Sequence, residues 1–315
     1  MREWLMVRKR VVKHRDARWY RGAARTSLRL SALTLALMFA VTSSALASPK
    51  GIFARFAQCP TGRPGVALCQ HAEVTGGTVT IGKISIPITR PIVIQDGAVP
   101  TGGANVNEYF LSPAANGESV SSNELQIPGG MQAILQCPQA GCRGPSGGIV
   151  PNAVNATLET AASPTNPGIL DLAAAAEERG AALIFPIRLQ LHNSLLGSAC
   201  YLGSAAHPIE LRLTGGTTSP PPPNKPITGT FGKAASVLEN GYELSSFTGG
   251  KLVDNAFSVP VAQGCGERLA SLVDLKIDQV LGLESPAGHN TAILMSTFQI
   301  AEVEAVLASA AFPSK

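Results

Sequence analysis

The chain has 315 residues, 45 % of them hydrophobic and only 5 % aromatic, with 25 Lys and Arg against 21 Asp and Glu. The positive balance is local: residues 1–47 hold ten of the basic side chains and two of the acids, so the following 268 residues carry 15 and 19 and a net charge of −4. A mildly acidic body without basic clusters argues against nucleic acid as a partner.

In the leader, Arg29 is followed by LSALTLALMFAVTSSALA, an apolar run that closes on Ala45-Leu46-Ala47. A basic segment, a short apolar core and a small-x-small ending are the order of a secretory signal peptide, with cleavage expected between Ala47 and Ser48. The alternative is an uncleaved anchor, since the run approaches the roughly 18 to 20 residues that span a bilayer. Membrane contact is then confined to this segment. Its length leaves a later translation start, at Met6 or beyond, open. Trp4 and Trp19 both lie in the leader, and Tyr109, Tyr201 and Tyr242 are the tyrosines beyond it. That scarcity weakens a carbohydrate-binding role, which leans on rigid aromatic contact area.

Beyond the leader stand Cys59, Cys69, Cys137, Cys142, Cys200 and Cys265. An even number in an exported chain reads as a disulfide framework. Short loops close most readily, which favours Cys59 with Cys69 and Cys137 with Cys142, leaving Cys200 with Cys265. Thr78 to Gln95, TVTIGKISIPITRPIVIQ, alternates Val79, Ile81, Ile84, Ile86, Ile88, Ile92 and Ile94 with polar residues, the period of half-buried strands.

Leu135 to Pro151, LQCPQAGCRGPSGGIVP, contains the letters of a G-x-S-x-G elbow around Ser146. An elbow needs a strand, a sharp turn and a helix. Here Pro145, Gly147, Gly148 and Pro151 surround the serine, and a Gly-rich turn stapled by Cys137 and Cys142 is the favoured reading. Neither C-x-x-C redox spacing nor paired-histidine metal spacing is present among His71, His192, His207 and His289.

Asn152 to Pro167, rich in Asn, Ala, Thr and Pro, offers a boundary between an N-terminal β region, 48–150, and a C-terminal one, 168–315; one continuous domain over 48–315 is equally compatible. Within the second region, LDLAAAAEER before Gly180 predicts a short helix at Leu170 to Arg179. Leu183 to Leu191 and Pro208 to Thr214 predict strands. Pro87, Pro91 and Pro186 remove ladder donors and place their strands at edges or bulges. SPPPPNKP, Ser219 to Pro226, reads as a long surface loop inside the span closed by Cys200 and Cys265. Glu267 to Leu281 predicts a helix that buries Leu269, Leu272, Val273, Ile277, Val280 and Leu281 and ends at Gly282.

Several phrases carry a resemblance: Cys200-Tyr201-Leu202-Gly203-Ser204, Leu213-Thr214-Gly215-Gly216-Thr217-Thr218-Ser219-Pro220, Leu252-Val253-Asp254-Asn255-Ala256-Phe257, Gly264-Cys265-Gly266 and Ser285-Pro286-Ala287-Gly288-His289-Asn290-Thr291-Ala292-Ile293-Leu294. In these the chain resembles a group of uncharacterised secreted proteins of actinobacteria, over Leu183 to Thr297 and more loosely over Phe56 to Gly97. The resemblance implies export and a shared fold, and brings no catalytic residue.

Asp254 or Asp274 and His289 complete a Ser, Asp, His order with Ser146, the basis of an alternative reading as an extracellular esterase- or lipase-like serine hydrolase. The favoured role for His289 is a side-chain hydrogen bond within its turn, and for Asp254 and Asn255 it is Asx-turn chemistry. The sequence thus predicts a mainly β, disulfide-stapled antiparallel β-sandwich with one or two short helices. It predicts a secreted or envelope-associated, non-enzymatic binding or structural protein. The ligand is unknown; an apolar small molecule in a cavity between sheets and an envelope component are candidates, and no metal or cofactor is expected. Intact-mass measurement of the exported protein should find Ser48 as the first residue; a product retaining the apolar run would establish the anchored form.

Overall fold

Alternation of apolar and polar residues makes strands the dominant regular element of this chain, which the computed structural model describes over residues 48–313 apart from 122, 139, 140, 145 and 146. Ala47 and the rest of the leader lie outside the described residues. The strands are β1 (Leu68–Ile81), β2 (Ile84–Pro87), β3 (Ile92–Pro100), β4 (Glu108–Pro113), β5 (Leu125–Gln126), β6 (Cys142–Arg143), β7 (Ile149–Val150), β8 (Asn155–Thr160), β9 (Ile169–Asp171), β10 (Leu183–His192), β11 (Tyr201–Leu202), β12 (Ile209–Leu213), β13 (Lys233–Glu239), β14 (Tyr242–Asp254), β15 (Ala262–Gln263) and β16 (Thr291–Glu302). The α-helices are α1 (Gly130–Leu135), α2 (Leu172–Glu177), α3 (Ala270–Leu281) and α4 (Val303–Ser309). Among the described residues none is long and apolar enough to cross a membrane.

Fourteen of these strands form one sheet, and β6 pairs separately with β7. Every paired strand is antiparallel to its neighbour. The path runs β14–β16–β1–β3–β4–β9–β10, and β10 pairs in addition with β12. At the far end of β12, Thr214 bridges Val253 of β14 through two backbone hydrogen bonds of 3.0 Å each. That bridge turns eight strands into a ring. The carboxylate of Asp254 reinforces the seam by accepting from Arg212 N at 2.7 Å and Ala256 N at 2.9 Å. Thr230 bridges Lys251 alongside. Gly229 is required there, because a Cβ would fall on the carbonyl oxygens of Lys251 and Thr214.

Strand parity fills the ring. Phe185, Ile187 and Leu189 of β10 face Ile209, Leu211 and Leu213 of β12 and meet Ile86, Ile92, Ile94 and Leu294 from the opposite wall. The lumen left between them is about 50 Å³ and wholly apolar in its lining. Eight-stranded rings have interiors that side chains can fill, and this one is filled. A second cluster joins Phe53 and Phe56, from a 3₁₀ turn over Gly51–Phe56, to Leu244, Val306 and Phe312.

The sheet crosses 152–167 without interruption, since β8 pairs with β10 over six residues from Asn155 to Thr160. The described residues therefore make one unit. Pro186 is a correction: it lies in the most widely paired strand of the sheet, not at an edge. Its carbonyl accepts from Ala161 N, and the donor it lacks would point into the gap between β9, which pairs at Ile184, and β8, which begins pairing at Ile187. No ladder bond is lost.

The predicted helices occur with shifted ends. Asp171 ends β9 and caps α2, accepting from Ala173 N and Ala174 N at 2.9 and 3.0 Å. A 3₁₀ turn over Glu267–Leu269 precedes α3, which Gly282 terminates. The buried stripe of α3 is narrower than predicted: Ile277 and Leu281 are buried with Val273 and Val280 packed beside them, whereas Leu269 and Leu272 are 52 % and 64 % exposed. The proline loop is pinned, with Asn224 Nδ2 donating to the carbonyls of Asn255 and Asn290.

All three bridges form as paired above: Cys59–Cys69, Cys137–Cys142 and Cys200–Cys265, with Cα separations of 5.5, 5.1 and 4.1 Å. Cys200 and Cys265 staple β11 to β15 across a sequence separation of 65, against 5 for Cys137 and Cys142. Loop-closure entropy then assigns about 4 kcal/mol to the former and about 2 kcal/mol to the latter. In urea unfolding, the double variant Cys200→Ala/Cys265→Ala should lose about 2 kcal/mol more than Cys137→Ala/Cys142→Ala.

Candidate functional site

A cleft of about 610 Å³ lies on the outside of β8 and β10. The parity that sends Ile187, Leu189 and Leu191 inward turns Arg188, Gln190 and His192 outward. Across the ladder they face Glu159, Thr157 and Asn155 of β8. Glu118, Ser119 and Glu124 form the other wall.

Most of the polar side chains on β8 and β10 here are held. Arg188 donates through Nε and Nη2 to Glu159 Oε2 at 2.8 and 2.7 Å and lies 4.4 Å above the centroid of the Tyr201 ring. Thr157 Oγ1 and His192 Nε2 are 2.8 Å apart, Asn155 Nδ2 donates to Glu124 Oε2 at 2.6 Å, and Gln190 Nε2 donates to Ser198 O at 2.7 Å. Side chains locked on strands in this way are pre-organised contacts. Three carboxylates against one guanidinium make the cleft a place for a ligand that donates hydrogen bonds or carries positive charge.

Behind this wall sits a carboxyl that sequence reading missed. Asp96 of β3 points into the ring at 2 % exposure, opposite Gln70 of β1. Burial pushes its pKa from 3.8 up to about 7, against the opposing effect of hydrogen bonds from Ser119 and Gln70. Gln70 Nε2 donates to Asp96 Oδ2 at 3.2 Å, and Ser119 Oγ also accepts from Ala114 N at 3.1 Å. Ser119 thus joins the cleft to the buried acid. Among the described residues Gln70 Oε1 has no hydrogen-bond partner.

Among the described residues, Asp254, Asp274 and His289 each have a separate place in the fold. Ser146 lies outside the described residues. Around it, Cys142–Arg143 and Ile149–Val150 pair as a hairpin, with Arg143 Nη1 donating to Gly147 O at 3.1 Å. A strand, not a helix, follows the turn, which is the wrong setting for an elbow. Asp254 is a seam residue, and Asp274 spends its carboxylate on Cys265 N and Gly264 N at 2.8 and 3.1 Å. His289 is exposed, and its backbone N–H, rather than its imidazole, holds the turn by donating to Pro286 O. The side chain that organises this turn is Asn290: Nδ2 donates to Phe257, Ser285 and Pro286 carbonyls, and Oδ1 accepts from Gly82 N.

The remaining histidines are dispersed: His71 is buried 6.5 Å from Phe56, where burial holds its pKa below the ordinary value. No group of three or more His, Cys, Asp or Glu that could hold a metal occurs among the described residues. The signal that could have found the cleft is the alternation of Arg188, Gln190 and His192 with apolar residues. Asp96 and Gln70 had none, because each stands at an inward position that pattern reading reserves for apolar side chains.

No family model, curated protein or solved structure matches the chain.

The buried acid has a measurable consequence. Below pH 3.8 Asp96 is neutral in both folded and unfolded chains, and its contribution to stability is intact. As pH rises to about 7 the unfolded chain ionises while the folded one stays protonated, so stability falls across that window. Asp96→Asn copies the neutral acid. It should leave unfolding free energy at pH 3.5 unchanged and raise it at pH 8 by up to about 4 kcal/mol, measured by urea titration.

Proposed function

We propose that the chain is exported, begins at Ser48 when mature, and works outside the cell as a non-enzymatic binding protein whose ligand occupies the cleft on β8 and β10. The observation that carries this reading is the held Arg188–Glu159 pair in a cleft of about 610 Å³, with Arg188 braced from beside the cleft by the Tyr201 ring. Small-molecule sites measure roughly 300 to 1,000 Å³. The ring lumen, at about 50 Å³, falls well short of that size. A polar ligand on the outside therefore has better support than an apolar one within. Three disulfides fit an oxidising compartment, and the resemblance to secreted actinobacterial proteins adds the same address.

The ligand class follows from the donors and acceptors. Glu118 and Glu124 ask for hydroxyl or ammonium groups, and Arg188 supplies directed N–H bonds beside the Tyr201 face. An envelope component rich in hydroxyls and amines fits these requirements.

Native mass spectrometry of protein purified from its own host is expected to show a retained small molecule. Arg188→Ala should weaken its retention by more than about tenfold with an unchanged circular dichroism spectrum. Specific labelling of Ser146 by a fluorophosphonate would overturn the proposal in favour of a hydrolase.

A further inference from the structure

Strand β13 leaves the ring as the outer arm of a hairpin and has β14 as its partner strand on one side. The turn is Asn240-Gly241, with φ of 51° and 83°, the left-handed pair of a two-residue type I′ connection. Such a turn makes its flanking pair, Glu239 and Tyr242, a hydrogen-bonded one, and bonding then alternates back along the ladder. The N–H and C=O groups of Glu239, Val237, Ala235 and Lys233 point at β14. Those of Leu238, Ser236 and Ala234 point away from it. No backbone bond to these six outward groups occurs among the described residues.

The segment carries few of the usual blocks to further pairing. Lys233 to Leu238 are exposed, Val237 and Leu238 at 50 % and 70 %. Charges stand at the two ends, Lys233 and Glu239, with Ala-Ala-Ser-Val-Leu between them and no proline. Natural edges are ordinarily blunted by central charges, prolines or bulges.

The sequence is complementary to itself when reversed. Antiparallel pairing of two copies about a two-fold axis at Ser236 sets Ala234 against Leu238 and Ala235 against Val237, small against large on both faces. It sets Lys233 against Glu239 of the second copy. Lys233 has no ion-pair partner among the described residues. Glu239 accepts from Ile52 N at 2.8 Å, and a carboxylate has acceptor sites for more than one donor. Pairing about Ser236 also engages all six outward backbone groups. Centres at Ala235 or Val237 leave one end of the segment overhanging and separate the charges.

We propose that β13 is a homotypic docking edge: two copies of this chain join through antiparallel β13–β13 pairing centred on Ser236, making one sheet continuous across both molecules. Contact along one strand is small, so the dimer is weak and concentration-dependent.

A symmetric hydrogen-bonded pair places the two Ser236 Cα atoms about 5.5 Å apart, within disulfide reach. The two Ala234 Cα atoms stand about 14 Å apart, four residues off register. All six native cysteines are bridged, so a new thiol reports alone. Under mild oxidation, Ser236→Cys is expected to give a covalent dimer on a non-reducing gel at least about tenfold faster than Ala234→Cys, the ratio that a difference of about 1.4 kcal/mol in accessibility yields. Sedimentation of the unaltered chain from about 1 μM to about 1 mM, the range of weak association, should show dimers that Leu238→Lys and Ser236→Pro both abolish. Ser236→Pro removes an outward N–H and so costs no bond within the hairpin; Leu238→Lys alters an exposed position only. Equal cross-linking at both positions, or dimers that persist in both variants, would overturn the proposal. A chain that stays monomeric throughout would also overturn it and leave the edge to an extended peptide of another protein.

Discussion

The Thr214–Val253 bridge is the constraint on which the rest of the molecule depends. A sheet of this many strands has two free ends, and here one inner pair of strands, β12 and β14, is brought together by two backbone bonds and the carboxylate of Asp254. The joint is narrow, so its surroundings are specialised. Gly229 allows one more segment to pass over it, and Glu178, beyond the end of α2, accepts from Thr230 Oγ1 and Phe231 N at 2.7 and 2.8 Å to hold that segment down. With the joint made, the inward faces of β1–β3 and of β10 and β12 meet and exclude water. Without it they would be two half-covered faces.

Closure also explains why the candidate site is on the outside. Once Ile187, Leu189 and Leu191 are committed to the interior, the residues between them have to face solvent. Arg188, Gln190 and His192 therefore stand in a row on a strand whose position is set by the core. A shift of one residue in β10 would exchange the two sets, burying a guanidinium and exposing leucine, which is why its register is so strongly specified. Ser119, touching both the cleft and Asp96, is where the outer polar surface and the inner one come within a single side chain of each other.

Much of this was legible in the sequence. The isoleucines at 84, 86, 88, 92 and 94 announce strands because a pleated, half-buried ribbon permits little else. The cysteine pairing followed from loop length. Other features depend on partners remote in sequence. The helix face at Leu269 and Leu272 looked buried because a wheel counts apolar side chains without knowing what covers them, and in the fold the core covers Val273 and Ile277 but not those two. Asn155 to Thr160 resembled a linker by composition, yet pairing with β10 made it a strand. Pro186 looked like an edge residue because the gap between β8 and β9 is a product of tertiary assembly. The turn at His289 was correctly placed, but its organising side chain is the neighbouring Asn290, whose amide can donate and accept at once as no single imidazole tautomer could do with four backbone groups.

One pairing, that of β1 with β16, has a consequence for how such a chain comes to be folded. Leu68 lies opposite Glu302 and Thr80 opposite Thr291, so the first long strand waits for the last before either has its full ladder. Growing from its N-terminus, the chain can close the short Cys59–Cys69 loop early and the β1–β3 ladder soon after. The opposite edge of β1 remains open until more than two hundred further residues have emerged. Contacts of such high sequence separation make folding slow and leave strand edges exposed in the meantime. The last residues complete the closure: Lys50 N donates to Ser309 Oγ at the end of α4 and Lys50 Nζ to Phe312 O just beyond it, so the start of the body is tied down only when its end is in place.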